Sequence, residues 1–375
     1  MALSKINANS ITDDSITVDQ IADTAVHGRR NLIINGSFQV FQRATAATTA
    51  DGGYNTADRW RMGESGDGAY TTERSTDHPN GSGYSLKAQV TTADTSVAAG
   101  HYAYIYQQIE AQNLQHLLYG TSAAKTLTLS FWVKSNKTGT YVFDLRKPDT
   151  THLHYNEEFT ISSADTWEKK TITIVPDSNV TASGGAIAND TGSGLEVGIG
   201  LRWGSTYTGG TSGSWSTNSN DYGTSNQVNW MDSTSNNFYL TEVQLEVSDK
   251  ATPFEHRSFG EELQLCRRYY EQYSADSGRW LAAGGYKGTD ASEYVLLFNV
   301  QKRATPTVSF TGTSSDFLLK RLGTSNAAGG TLSADNIGPD MVKITSASNP
   351  STHTTGQASL FGVYQTAKVI IDGEL

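Results

Sequence analysis

Residues 126–133 read TLTLSFWV, and this stretch decides the fold class. Apolar side chains occupy every second position, at Leu127, Leu129 and Phe131, and polar Thr and Ser fill most of the positions between them. A period of two indicates a β-strand with one face buried and the other exposed. The stretch therefore predicts a sheet that packs against a second layer.

Strand-like runs recur from the strand-and-turn stretch at 31–43 to about residue 258, with almost no helix signal, and the clear ones are 102–109, 126–133, 140–145, 170–175, 195–203 and 238–247. Gly-rich turns separate them, which favours two packed antiparallel sheets, a β-sandwich. In FYLTEVQLEV (238–247) the alternation changes parity, which predicts a β-bulge near Thr241 and Glu242. Strand-like runs return at 294–300, 307–310, 316–322, 341–345, 358–364 and 367–373, and these predict a smaller C-terminal β-sandwich.

Residues 259–273, FGEELQLCRRYYEQY, are the one convincing helical segment. Leu263, Cys266, Tyr270 and Tyr273 recur at helical spacing, so one stripe is apolar. We expect three such helices from three chains to pack through Leu263, Tyr270 and Tyr273. The chain then divides into an extended N-terminal oligomerisation segment (1–30), a β-sandwich domain (31–258), a linker helix (259–273) and a C-terminal β-sandwich (274–375).

An aliphatic residue falls at every fifth position of the N-terminal segment, at Ile6, Ile11, Ile16, Ile21 and Val26. A period of five suits neither a helix nor a strand. Several identical chains side by side can turn these side chains toward a shared axis, so we interpret this five-residue ladder as an oligomerisation element. The alternative is a disordered tail.

The amino-acid composition argues against two classes of function, nucleic-acid binding and membrane insertion. The net charge is −10 and the Lys and Arg residues are dispersed, so no basic stripe indicates a nucleic-acid partner. No apolar run approaches eighteen residues, so we expect no membrane insertion. The single cysteine, Cys266, cannot form an intramolecular disulfide, which fits assembly in a reducing cytoplasm.

The long segment 204–229 mixes aromatic residues with Ser, Gly, Thr and Asn. Binding surfaces use this mixture, because rigid aromatics supply area and small polar residues supply hydrogen bonds. We interpret the segment and its flank as a candidate glycan or receptor surface that comprises Tyr207, Trp215, Asp221, Tyr222 and Trp230. The alternative is that these aromatics pack locally or against a neighbouring subunit.

Metal and catalytic sites receive little support from the sequence. His152 and His154 point to one face of a strand, but no third ligand is fixed, so solvated surface histidines are the better interpretation. We expect no cofactor, although a structural calcium ion is conceivable on oxygen ligands from Asp51, Asp58, Asp67 and Glu242. No G-x-S-x-G, H-E-x-x-H or Walker motif is present, and we expect no enzyme.

Several stretches together resemble bacteriophage tail-fibre and related virion proteins that contain a carbohydrate-binding-module-like jelly roll. They are NLIINGSFQVFQR (31–43), ADRW (57–60), LSFWVKSNKTGTY (129–141), FYLTEVQLEV (238–247), ATPFEHRSFGEELQLCRRYYE (251–271), RATPTVSF (303–310) and the closing IIDGEL. The ladder is similar to N-terminal segments by which phage fibres trimerise and attach. This resemblance covers nearly the whole chain, and ATPFEHRSFGEEL…CRRYYE is its most specific part.

The resemblance implies a homotrimeric structural protein of a phage tail, assembled in the host cytoplasm and located in the virion. Its partners would be other copies of itself, tail or adaptor (nozzle) proteins and a host cell-surface polysaccharide. Two alternatives remain open from the sequence. One is a tail-borne polysaccharide depolymerase, and the other is a tail or head decoration protein without receptor binding.

Overall fold

The computed structural model describes residues 29–50, 52–274, 278–288, 290–321, 327–348, 354–364 and 366–375. All five members of the N-terminal ladder, Ile6, Ile11, Ile16, Ile21 and Val26, lie outside the described residues, so their role stays a prediction. The protein is mainly β, with 44% strand and 9% helix arranged as sandwich-like antiparallel sheets, which confirms the predicted fold class.

The larger sandwich is built from twelve strands: β1 (Thr48–Thr49), β2 (Arg61–Ser65), β3 (Ala69–Ser75), β4 (Ser85–Thr92), β5 (Tyr102–Glu110), β6 (Leu127–Ser135), β7 (Gly139–Lys147), β8 (Leu153–Ile161), β9 (Glu168–Ile174), β10 (Ser193–Trp203), β11 (Ser214–Ser216) and β12 (Asn237–Val247). In the described residues they form two antiparallel sheets. The back sheet has the order β1-β3-β4-β12-β6-β9, and the front sheet has the order β11-β8-β7-β10-β5-β2. Because the chain crosses repeatedly from one sheet to the other, the arrangement is a jelly roll.

Alternation along the strands builds the core between the two sheets. Leu127, Leu129 and Phe131 of β6 are buried there, as the period of two predicts. The predicted bulge in β12 is confirmed, since its register with β6 shifts between Thr241 and Gln244. The bulge returns the later apolar residues of β12 to the core side.

The smaller sandwich contains ten strands: β13 (Tyr270–Ser274), β14 (Arg279–Tyr286), β15 (Ser292–Leu297), β16 (Thr307–Thr311), β17 (Phe317–Arg321), β18 (Ala327–Ala328), β19 (Thr331–Asp335), β20 (Met341–Ala347), β21 (Ala358–Val363) and β22 (Lys368–Asp372). Within the described residues, a sheet of order β13-β22-β16 packs on one of order β18-β17-β21-β14-β15-β20-β19. Their shared core includes Phe317, Phe361 and Val369.

The α-helices of the described chain are α1 (Ser178–Thr181) and α2 (Phe259–Arg267). The hydroxyl of Ser258 caps α2 by accepting a hydrogen bond from the backbone N–H of Glu261. Short 3₁₀ turns lie at Ala111–Leu117, Ser183–Gly185, Trp230–Asp232 and Ser314–Asp316. No helix in the described part of the chain has the length and apolar character needed to cross a membrane.

The prediction of a helix through residue 273 is wrong. The helix ends at Arg267, and the next residues form β13, which pairs with β22 nearly one hundred residues later. Tyr273 is buried in the core of the smaller sandwich, and Tyr270 lies under the guanidinium of Arg43 at 3.6 Å. Both tyrosines are therefore used inside one chain and do not form a helical stripe between subunits. Of the three predicted contacts, Leu263 alone stays on the helix, where it is half-buried.

The two sandwiches meet through buried ionic and aromatic contacts. Arg59 of the jelly roll pairs with Glu374, and its guanidinium lies 3.5 Å from the ring centre of Tyr269. Arg268 donates hydrogen bonds of 2.7 and 3.0 Å to the carboxylate of Glu110. Because charged groups that are buried and paired are costly to separate, these contacts favour a fixed arrangement of the two domains.

Candidate functional site

The outer face of the front sheet carries an unusual row of aromatic side chains. On β5, Ala103, Ile105 and Ile109 point into the core between the sheets. The alternate positions are Tyr102, Tyr104 and Tyr106, which therefore project from the opposite side of the strand. The sequence YAYIYQQI thus describes a strand with apolar or aromatic groups on both faces.

The predicted binding segment folds back over this row. The ring of Tyr207 lies 5.7 Å from that of Tyr102, and the ring of Tyr222 lies 6.2 Å from that of Tyr104. The rings of Tyr104 and Tyr106 stack in parallel at 4.4 Å. We call the combined surface the aromatic groove; its members are Tyr102, Tyr104, Tyr106, Trp203, Tyr207 and Tyr222.

Four members of the aromatic groove, Tyr102, Tyr104, Tyr207 and Tyr222, are only half-buried, so part of each ring faces solvent. Trp203 and Tyr106 are buried beneath them, outside the core between the sheets. Desolvation raises the pKa of Tyr106 and of Tyr222 to about 12. Both phenols therefore stay protonated at neutral pH and can donate hydrogen bonds.

Glycines on β10 make room for the groove. Gly198 and Gly200 alternate with the core residues Val197, Ile199 and Leu201, so they lie on the outer face. A side chain at Gly200 would place its Cβ 2.2 Å from Nε1 of Trp203, so a glycine there lets the indole lie across the strand.

The covering segment is held by polar contacts at its ends and middle. Asp221 accepts hydrogen bonds from Ser216 at 2.6 Å and from Asn218 at 2.8 Å. Thr224 donates a hydrogen bond of 2.5 Å to Glu158 on β8. Asp221 is almost fully buried, so it supports the loop and is not an exposed ligand contact as the sequence suggested.

Two of the predicted surface residues belong to the core, and for them the prediction of an exposed platform is wrong. Trp215 lies on β11, which pairs with β8, and that pairing turns its ring inward against Tyr155. Its indole donates a hydrogen bond of 2.9 Å to the carbonyl of Val175. Trp230 is 0% exposed and donates to the carbonyl of Asn237 at 3.1 Å.

Ionisable groups lie beside the aromatic groove on β7, β8 and β10. Asp144 Oδ1 lies 2.9 Å from Nδ1 of His154 and accepts a hydrogen bond of 3.1 Å from Asn156. Arg146, also on β7, lies 3.5 Å from Glu196 on the neighbouring strand β10. The expectation of solvated histidines is therefore wrong for His154, which is fully buried against Asp144 and the ring of Tyr222.

Burial changes the acidity of both carboxyl groups. Glu196 is 3% exposed, and desolvation raises its pKa to about 7 despite the attraction of Arg146. Desolvation likewise raises the pKa of Asp144, which the contacts with His154 and Arg146 oppose. Perturbed carboxyls of this kind cluster at functional sites more often than on ordinary surfaces.

Several buried polar groups on this face have no hydrogen-bond partner among the described residues. They are Nε2 of His154, Oδ1 of Asn156, Nε1 of Trp203 and both ends of the Gln227 amide. Buried polar groups are normally paired with protein, water or ligand. Their concentration under one loop distinguishes this part of the front sheet from an ordinary solvated sheet face.

No group of three or more His, Cys, Asp or Glu side chains arranged to hold a metal is found in the described ranges. Of the calcium ligands considered from sequence, Asp51 lies outside those ranges and Asp67 is exposed. Asp58 accepts a hydrogen bond of 2.9 Å from the backbone of Gln42. Glu242 accepts one of 3.1 Å from Asn80.

The chain matches no protein-family model and no curated protein. Among solved structures, it is similar to a candidate sugar-binding protein from Bacteroides thetaiotaomicron (12% identity, 58% of this chain, 100% of that chain, TM-score 0.35). It is also similar to the enzymatically active domain of tailspike protein 4 from bacteriophage CBA120 (13%, 58%, 21%, TM-score 0.29). A third similar structure is the family 11 carbohydrate-binding module of Clostridium thermocellum, solved with a β-1,3-1,4-mixed-linked tetrasaccharide (12%, 56%, 99%, TM-score 0.29). These TM-scores lie below 0.5, so none of the three similarities supports a function for this chain.

Proposed function

We propose that this chain is a structural component of a phage tail fibre that binds a host cell-surface glycan through the aromatic groove. The observation that carries the proposal is the set of four half-buried tyrosines gathered on one sheet face. A sugar ring has apolar faces and a rim of hydroxyls. Exposed aromatic faces beside hydrogen-bonding groups match both parts of such a ring.

The polar surroundings of the groove support the same ligand class. The phenols of Tyr106 and Tyr222 can donate hydrogen bonds, and Arg61 and Arg146 flank the ring cluster. Sugar hydroxyls both donate and accept, so they can satisfy such groups in several orientations. The groove is therefore better matched to a saccharide than to a purely apolar ligand.

The proposal includes a homotrimer that attaches to the tail by its N-terminal ladder. Self-association is supported by the exposed side of α2, where Phe259 is 55% exposed and adjoins the half-buried Leu263. Three tethered copies raise the effective concentration of weak sites without any new contact per copy. That arrangement suits reversible binding to a repeating cell-surface polymer.

The test is binding of purified host-surface polysaccharide, together with the ability of the soluble protein to block phage adsorption. Tyr104→Ala and Tyr222→Ala should each weaken binding about tenfold or more, because loss of one ring–sugar contact costs on the order of 1–3 kcal/mol by analogy with base stacking. Tyr239→Ala is the matched control, since Tyr239 is a half-buried tyrosine on the back sheet. Equal losses from all three variants would contradict the assignment of the groove, and unhindered adsorption would favour the purely structural alternative.

A depolymerase is the second candidate, because the raised pKa of Glu196 near Asp144 is a feature of acid catalysts. Binding is favoured over cleavage by the engagement of Asp144 with His154 and Asn156. Incubation of the protein with the polysaccharide should release no oligosaccharides. Release that disappears in Glu196→Gln would replace the binding proposal with an enzymatic one.

A further inference from the structure

We infer that the glycan held in the aromatic groove is acidic, with a sugar carboxylate bound between Arg61 and Arg146. This inference rests on the proposed function and adds the chemical class of the ligand. The charge beside the groove is opposite in sign to the net charge of the chain. The chain as a whole carries a net charge of −10, yet two guanidinium groups, those of Arg61 and Arg146, reach solvent beside the ring cluster.

The carboxylates on this face are buried or hydrogen-bonded, so they cancel little of the positive charge that the two arginines present to solvent. Asp144 and Glu196 are 4% and 3% exposed, and Asp221 is buried within its loop. Glu158 is half-buried, and its Oε1 accepts hydrogen bonds from Thr224 and Asn226. A ligand that approaches the groove therefore meets positive charge first.

Arg61 lies at the β2 edge of the groove and is already oriented. Its Nε donates a hydrogen bond of 2.9 Å to the carbonyl of Gly52, and its guanidinium lies 5.7 Å from the ring centre of Tyr106. Among the described residues Arg61 forms no ion pair within 4.0 Å, and the one carboxyl on which its charge is seen to act is the buried Glu196. Its terminal nitrogens are thus directed by the backbone contact and available for an anion.

Arg146 lies on the other side of the groove, on β7. Its guanidinium is 5.8 Å from the ring centre of Tyr222, and its nearest carboxylate is Glu196 at a long 3.5 Å. Guanidinium groups bind carboxylates through two parallel hydrogen bonds, which makes arginine the preferred residue for this recognition. Two arginines on either side of stacking rings suit a sugar ring whose substituent is a carboxylate.

The protonation state of Glu196 should make the affinity for an acidic glycan depend on pH. The groups that face it are Arg61 of β2, Tyr104 and Tyr106 of β5, Asp144 and Arg146 of β7, His154 of β8 and Tyr222 of the covering loop. A sugar carboxylate placed beside Glu196 disfavours its charged form, so binding promotes uptake of a proton. Affinity for an acidic glycan should therefore rise as the pH falls from 8 to 6, whereas affinity for a neutral glycan should change little.

The test is calorimetric titration of the full chain with oligogalacturonate, its methyl ester, a neutral galactan oligosaccharide and a sulfated galactan oligosaccharide. The acid should bind about tenfold more tightly than its ester, because a charge-assisted hydrogen bond contributes on the order of 1.5 kcal/mol or more. Arg61→Gln and Arg146→Gln should each remove most of that preference, because each substitution lowers affinity for the acid more than it lowers affinity for the ester. Arg74→Gln, at an exposed arginine over Tyr84 on the back sheet, is the matched control and should change neither affinity.

The possible outcomes separate the two proposals. Equal binding of the acid and its ester by the wild-type protein would overturn the acidic ligand and leave glycan binding intact, and this comparison needs no variant. Tighter binding of the sulfated oligosaccharide would overturn the carboxylate assignment. If no saccharide binds, the proposed function fails, and the acidic preference fails with it.

Discussion

The two sheets of the jelly roll share one core but have contrasting outer faces. On the back sheet, charges pair with each other at the surface, as in the contact of 2.8 Å between Lys87 and Glu73. On the front sheet, the carboxyls of Asp144 and Glu196 are buried while several tyrosine rings remain partly open to solvent. The back face follows the ordinary rule for a solvated sheet, and the front face reverses it.

This contrast shows where the molecule departs from the requirements of folding alone. A paired surface charge costs little to maintain and contributes little. A buried carboxyl whose pKa is raised costs folding free energy, and Glu196 imposes such a cost beside the aromatic groove. Function is therefore assigned to the front face because half-buried tyrosine rings and buried carboxyls lie there side by side.

The largest expected effect is the loss of stability when a core residue of segment 204–229 is replaced, compared with the loss when a groove residue of the same segment is replaced. Trp215→Ala should lower the free energy of unfolding by about 3–5 kcal/mol, because the ring is packed against Tyr155 in the core. Tyr222→Ala, only seven residues away, should lower it by about 1 kcal/mol while weakening glycan binding about tenfold or more. Urea unfolding of both variants measures the difference. Similar losses of stability in the two variants would contradict the assignment of Trp215 to the core and of Tyr222 to the groove.

The second effect concerns pH. The pKa of Glu196 is about 7 in the folded protein, above the ordinary value of 4.5, so the folded state binds the extra proton between these values. Stability should therefore be highest below pH 4.5 for this group and fall as the pH rises to 7, by at most about 3 kcal/mol. Glu196→Gln should remove that dependence and be more stable than wild type at pH 8.

Unfolding measured at pH 5 and pH 8 provides the check for Glu196. Glu73→Gln on the back sheet is the control, since Glu73 is paired at the surface with Lys87. Its difference from wild type should be nearly the same at both pH values. A Glu196→Gln variant that is less stable than wild type at pH 8 would show that the charged carboxylate is required by the fold.

The smallest effect is expected on the back face. Lys87→Gln should change the free energy of unfolding by less than about 1 kcal/mol, because solvent screens its partly exposed pair with Glu73. Glycan affinity should be unchanged. Thermal unfolding and a binding titration would measure both quantities, and a marked loss of affinity would move the binding surface to the back sheet.

Much of the fold could be predicted from local sequence. Alternation located the strands, and the change of parity in β12 located the bulge at Thr241 and Glu242. The end of helix α2 could not be predicted, because it depends on pairing between β13 and β22, which are distant in sequence. Periodicity within residues 259–273 contains no information about that partner.

The site was predicted only in part. Tyr207 and Tyr222 do join one surface, but Trp215 faces inward because β11 pairs with β8, a contact that composition cannot reveal. Tyr102, Tyr104 and Tyr106 were overlooked as binding residues, although their spacing of two placed them on one face of a strand. Their partners come from a loop about one hundred residues later, so their gathering is a property of the tertiary fold.

Hydrogen–deuterium exchange with and without saturating cell-surface glycan tests most directly whether the front face is the binding face. The account predicts slower exchange of the backbone amides in β5 and in residues 204–229, with β3 and β4 of the back sheet unchanged. Protection confined to β3 and β4, with β5 and the covering loop unaffected, would contradict it.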